Sequence, residues 1–225
     1  MQLKGEPVTR ARLRDRFGIT DWRARTLIRE TQEEPRGGLT MAYFDIETTS
    51  LKPGFGHLLC VSVLSYPDMT MKTFRIDELG DSDVPYDDSV LAVTVRDYLE
   101  QFHMVGTWFG KGFDVPFLNT RLMAASERGL APQFHVDFIW FYKGWRGVKT
   151  TGSKLETVAE FYKLEERKMK LDREVFAQAA YWNTPKGKQQ LDIIVERCES
   201  DVRLTCEVGA RTFDQGLVKN IQRYP

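Results

Sequence analysis

The feature that most constrains this chain is FDIET, residues 44–48. Residues 41–46 (MAYFDI) are an apolar run of strand length, and Asp45 and Glu47 stand two apart at its end. Side chains alternate along a strand, so both carboxylates leave the same face. Two neighbouring acids repel, and burying them is costly unless a cation or donor compensates. Phe44, Ile46 and Thr48 bring no positive charge, which makes a divalent metal the simplest compensation. Oxygen ligands with no histidine or cysteine nearby favour Mg²⁺ or Mn²⁺ over zinc. Taken alone, the pair is also compatible with two surface acids at a sheet edge.

The sequence after residue 38 reads as one α/β domain, residues 39–225. Residues 58–66 (LLCVSVLSY) and 70–76 (TMKTFRI) are two more strands, joined by a short turn at Pro67 and Asp68. Residues 89–102 carry Leu91, Val95, Tyr98 and Phe102 on one helical stripe. Residues 104–109 form another strand. Pro116, well placed in a first helical turn, starts a helix carrying Leu118, Leu122 and Ala125. Further helices are expected over 154–162 and 191–212, and the Lys186 and Lys188 pair in a solvated loop. Three early strands followed by alternating strands and helices predict a mixed sheet flanked by helices.

Two further acids fall at informative places. Asp114, in GKGFDVPFL, lies at a strand-to-helix junction, where an acid also serves as an ordinary cap. Asp201 shares a helical stripe with Ile194, Cys198, Val202 and Thr205, which turns it inward, where an aspartate needs a partner.

FDIET, GKGFDVPFL and RCESDVRLT, in that order, resemble the three motifs of the DEDD superfamily of RNase H-like 3′–5′ exonucleases. Within it the pattern is similar to the proofreading domains of family B polymerases and their stand-alone bacterial and phage relatives. The resemblance covers roughly residues 41–209. It implies an RNase H-like mixed sheet, with three antiparallel strands and then parallel ones. It implies that Asp45, Glu47, Asp114 and Asp201 bind two Mg²⁺ or Mn²⁺ ions and the scissile phosphate. In that scheme one ion activates a water and the other stabilises the leaving 3′ oxygen. It further implies contact between the terminal nucleotide and the chain near Thr48 and Leu51, with Lys111 and Phe113 of the second motif beside it. Asp137, in HVDFIW, is either a supporting acid or a loop hydrogen-bond acceptor.

The pattern departs from the family at two positions. The residue that orients the attacking water is a tyrosine four before the last aspartate, or a histidine five before. Here those positions hold Arg197 and Glu196. Arginine stays protonated and cannot be a base, but it can clamp a phosphate. Glu196 can accept a proton if its helix points it inward. Phe109 stands where relatives carry asparagine. Loss of a general base costs roughly 10²–10⁴-fold, so four retained acids still predict a nuclease.

Between Phe138 and Lys154 there is no acid, and Trp140, Phe141, Tyr142 and Trp145 are interleaved with Lys143, Arg146 and Lys149. Aromatics stack on unpaired bases and cations meet phosphates, which predicts a single-strand track, with some of the rings buried instead. His57, His103 and His135 are scattered and form no triad.

The net charge is zero but segregated. Residues 8–29 hold seven arginines against two acids, and residues 77–100 hold eight acids against Arg96 alone. The basic stretch reads as two helices about Gly18, an apolar stripe on one side and Arg23, Arg25 and Arg29 mainly on the other. That is the layout of a helix-turn-helix-like module (residues 1–38 with the linker EEPRGG) able to touch duplex DNA, or of a solvated hairpin. No apolar run reaches the ~20 residues of a membrane span, and no secretory signal is visible. Three cysteines without a CxxC pair fit a reducing cytoplasm, of a bacterium or a phage-infected cell.

The sequence therefore predicts a 3′–5′ exonuclease acting on single-stranded 3′ ends, DNA favoured, either stand-alone or working with a polymerase or helicase encoded elsewhere. Its alternatives are an RNase H-like module that holds nucleic acid without cutting it, and a helix-turn-helix regulator.

Overall fold

The structure is a computed structural model and describes residues 39–80, 84, 86–143, 148–218 and 222–224. The expected helix-turn-helix-like module, with Arg23, Arg25 and Arg29, lies outside the described residues, as does Arg146.

The strands are β1 (Met41–Thr48), β2 (Leu58–Tyr66), β3 (Thr70–Arg75), β4 (Met104–Thr107), β5 (Gln133–Asp137) and β6 (Gln222–Tyr224). They form one sheet in the order β3-β2-β1-β4-β5-β6. β1, β2 and β3 are antiparallel, while β4 runs parallel to β1 and β5 parallel to β4. β6, antiparallel to β5, closes the far edge and was not anticipated from the sequence. The helices are α1 (Ile76–Leu79), α2 (Ser89–Leu99), α3 (Asp114–Ala124), α4 (Ile139–Tyr142), α5 (Leu155–Phe161), α6 (Arg173–Ala179) and α7 (Pro185–Asp214). No helix among the described residues is long and apolar enough to cross a membrane.

The alternation of β1 sorts its side chains between two layers. Ala42, Phe44 and Ile46 join a core with Leu91, Val95, Leu99, Leu118 and Leu122 of α2 and α3. Met41 and Tyr43 face the other way and pack with Val202 and Cys206 of α7. Asp45 and Glu47 continue this second row, toward the same helix. α7 can lie close to the sheet because residue 209 is glycine. A Cβ there would meet the Phe138 ring at 2.8 Å and the Tyr43 ring at 3.0 Å.

Several boundaries differ from the sequence reading. α7 starts at Pro185, with the Thr184 hydroxyl accepting from the Gly187 N–H, so Lys186 and Lys188 are helical rather than in a loop. β4 ends at Thr107, two residues earlier than expected, because Phe109 turns out of the strand at φ 69°. α6, a short and partly exposed helix, was missed.

Candidate metal centre

β1 delivers Asp45 and Glu47 side by side, and α7 brings Asp201 over them. One carboxylate oxygen from each of the three lies within 4.8 Å of the other two. The period-two argument for β1 and the inward stripe of α7 thus meet at one point. The register irregularity between Glu47 and Thr48 falls just after the pair and leaves their shared face intact. Glu47 and Asp201 are buried, and Asp45 is partly buried.

Asp114 is buried at the first position of α3, beside this trio. Its Oδ1 accepts the Ile46 N–H at 3.1 Å, so the backbone of β1 itself holds it. It is therefore close enough to act on Asp45 electrostatically while lying outside the tight group of three.

Burial in this concentrated negative charge has the expected effect. It pushes the Asp45 carboxyl well above its ordinary range, with Asp114, Asp201 and Glu47 adding to the rise. Burial pushes Glu47 up to about 7, against the pull of Arg197. Asp114 is likewise raised to about 7 by burial, with its backbone hydrogen bonds opposing.

Two cations sit on the cluster. The Arg197 guanidinium donates to Glu47 Oε1, lies 3.6 Å from Asp201 Oδ2 and donates to the Met169 carbonyl at 3.2 Å. Lys168 Nζ is 2.5 Å from Asp201 Oδ2. Lys168 was missed from the sequence. It comes from the segment between α5 and α6, and nothing local separates it from Lys163 or Lys170.

The donor set suits a hard divalent cation. All candidate ligand atoms are carboxylate oxygens, and Asp201 Oδ1 is buried with no hydrogen-bond partner among the described residues. A buried acceptor left unpaired is costly, and a cation would satisfy it.

The remaining predicted residues fall in two groups. Near the cluster, Thr48 is buried with its hydroxyl on the Ser50 carbonyl, Leu51 is exposed, and Lys111 and Phe113 are half-buried. Farther along, Lys143 is half-buried, Lys149 is exposed, and the two pair in an isolated bridge. Of the interleaved aromatics, Tyr142 is buried and Phe141 half-buried, whereas Trp140 is exposed. Glu196 requires correction. It is exposed on α7, so the helix does not turn it inward as a proton acceptor would require. Asp137 resolves to the loop role: its carboxylate accepts the Phe109 N–H at 2.7 Å and the Lys111 N–H at 3.1 Å.

A sequence model of the RNase H superfamily matches residues 42–212. Among solved structures, the chain is similar to the family B DNA polymerase from the hyperthermophilic archaeon Pyrobaculum calidifontis. The TM-score is 0.61 and the identity 19%, over 81% of this chain and 25% of the polymerase. The chain thus spans about a quarter of that polymerase's length. No curated protein matches it.

Proposed function

The chain belongs to the RNase H superfamily, and from that premise we propose that it is a metal-dependent 3′–5′ exonuclease for single-stranded nucleic acid, DNA favoured. The observation that carries this reading is the convergence of Asp45, Glu47 and Asp201 from two distant segments, with one buried oxygen of Asp201 unpaired among the described residues. Asp114 stands beside them as the fourth acid.

Asp45, Glu47, Asp201 and Asp114 would hold Mg²⁺ or Mn²⁺, whose chemistry is to acidify a bound water and to neutralise charge on a leaving oxygen. The chain's own side chains do the rest. The α3 amino end and the backbone amide of Ile46 fix Asp114. Burial between the sheet and α7 excludes bulk water, which strengthens every charge interaction inside. Arg197 and Lys168, already drawn to the carboxylates, are positioned to meet a phosphate. Arg197 stands in the place of the family's water-orienting tyrosine, so phosphate clamping replaces base catalysis and the rate is modest. Residues 1–38 add contact with duplex DNA, and a polymerase or helicase supplies the 3′ ends.

The test is release of label from a 3′-end-labelled DNA strand in Mg²⁺ or Mn²⁺. Asp45→Ala should abolish release; equal digestion by that variant refutes the assignment. A second reading is an RNase H-like module that binds without cutting. The pairing of Arg197 with Glu47 and of Lys168 with Asp201 favours it, because the cluster then carries its own counter-ions. That reading predicts salt-sensitive binding that persists in chelator and no product at any metal concentration.

A further inference from the structure

Phe109, Trp140 and Lys143 form an exposed aromatic and cationic group that serves neither the core nor the carboxylate cluster. Phe109 is 40% exposed and Trp140 47% exposed, unusual for such large rings. Lys143 Nζ lies 4.3 Å from the Trp140 ring centroid and 5.1 Å from that of Phe109.

This group is built rather than incidental. Phe109 adopts φ 69°, a left-handed backbone that is an outlier for a bulky residue. The conformation is held by the buried carboxylate of Asp137, which accepts the Phe109 and Lys111 N–H groups. The Trp140 indole N–H lies near enough to the same carboxylate to favour its charged form. A second support runs beneath: the Gly110 N–H donates to the Thr107 hydroxyl at 3.1 Å, and that hydroxyl lies 2.7 Å from His135 Nε2. One buried acid therefore fixes the turn that presents Phe109, beside the Trp140 ring, and strained backbone of this kind persists where the surroundings over-determine it.

Its place in the sheet ties it to the carboxylates. β1, β4 and β5 are parallel, with Tyr43 opposite Gly106 and Thr107 opposite Asp137. Continuing that register sets Asp45 level with Trp108. The turn bearing Phe109 then leaves the sheet at the same carboxyl-end edge as the acids, one strand away, where spacing is about 4.8 Å. Open α/β sheets bind ligands at that edge. The segment from Phe138 to Lys154, which carries Trp140 and Lys143, contains no acid.

We propose that Phe109 and Trp140 are a stacking platform for unpaired bases of the substrate strand, with Lys143 meeting the adjacent phosphate. The proposal rests on the reading of the chain as a nucleic-acid enzyme and names a specific part of its substrate contact. Flat exposed rings accept any base, so the platform confers preference for single strands over duplexes without sequence selectivity.

The experiment is fluorescence anisotropy of a labelled oligothymidylate strand with the full chain in EDTA, where no hydrolysis intervenes. Label release in Mg²⁺ is measured separately. Trp140→Ala and Phe109→Asn are the variants; asparagine tolerates the left-handed backbone, so the turn is kept while the ring is lost. Each should weaken binding on the order of tenfold or more. A strand with abasic residues at its 3′ end should bind the wild type and both variants alike. Wild-type affinity of both variants for the intact strand overturns the platform, and label release by the wild type would then leave the exonuclease reading standing. Ring-dependent binding without any label release supports the platform and removes the exonuclease reading.

Discussion

Arg197 donates to Glu47 across 150 residues of sequence and lies 3.6 Å from Asp201, one turn along its own helix. A single guanidinium thus spans an acid from β1 and an acid from α7. It contributes positive charge where the two carboxylates would otherwise repel. Arg197→Met removes that charge while keeping an apolar stem against Phe176, whose ring centroid is 5.7 Å from the guanidinium carbon. Breaking a fully buried pair costs roughly 3–5 kcal/mol. Arg197 is only partly buried, so the expected loss without metal is about 2–3 kcal/mol. At about 2–4 °C per kcal/mol for a chain of this size, that is a fall in Tm of roughly 5–10 °C. Mg²⁺ or Mn²⁺ should narrow the gap, because a bound cation replaces the missing charge. Thermal melts with EDTA and with metal check this; a gap unaffected by metal would count against a shared site.

Asp45 has the opposite balance. Its carboxylate is buried beside Asp114, Asp201 and Glu47, with Lys168 opposing their charge. Asp45→Asn removes a like charge from a crowded buried site. The metal-free protein should melt a few degrees higher, on the order of 1 kcal/mol. The rise in Tm that metal gives the wild type should shrink or vanish, since linkage requires a native site. Release of 3′ label should stop. Calorimetric melts and the labelled-strand assay together separate this from simple misfolding, which would lower Tm.

His135 gives the fold a pH dependence whose sign is fixed by its surroundings. Burial holds its pKa down to about 3, with the nearby Lys111 charge adding to the effect. In the unfolded chain histidine titrates near 6.5. Between those values the unfolded state binds the extra proton, so stability is full above about pH 6.5 and falls as pH drops toward 3. At pH 5 the loss from this residue alone is about 2 kcal/mol. The neutral ring is also needed locally. The Thr107 hydroxyl accepts from Gly110, which leaves its own proton for His135 Nε2. His135→Gln keeps an acceptor without a titrating ring. Urea unfolding at pH 7 and pH 5 should show a smaller difference for that variant than for the wild type.

What was legible in the sequence follows from which forces are local. Alternation along β1 and the helical stripe of α7 are short-range patterns, and they placed Asp45, Glu47 and Asp201 correctly on inward faces. The 3.6-residue period likewise located α2, α3 and α7, although α2 stops at Leu99 where the sequence reading continued to Phe102. Lys168 was not legible, because its pairing with Asp201 depends on how the segment before α6 folds back over α7. The turn at Phe109 was hidden for a similar reason. A left-handed phenylalanine is disfavoured locally and is held there by Asp137, 28 residues later. Glu196 misled because its role depended on helix rotation by one residue, about 100°, and packing of Cys198 and Asp201 inward sets that rotation against it.

Gly112 offers a test of the aromatic platform that leaves its residues unchanged. A Cβ at this position would meet the tip of the Phe109 ring at 2.4–2.8 Å, so alanine and the present ring position are incompatible. The atoms in the way are the far end of a side chain that is already substantially exposed, not backbone. The ring can swing out, and the cost to folding is then small, within about 1 kcal/mol. Asp137 still holds the Phe109 backbone, so the turn itself survives. Gly112→Ala should therefore melt within a few degrees of the wild type while losing affinity for oligothymidylate nearly as far as Phe109→Asn does. The double variant Gly112→Ala with Phe109→Asn should bind no more weakly than Phe109→Asn alone, since the glycine acts only through that ring. Additive losses in the anisotropy titration would show that Gly112 contacts the strand directly, and would remove the role assigned to the ring's position.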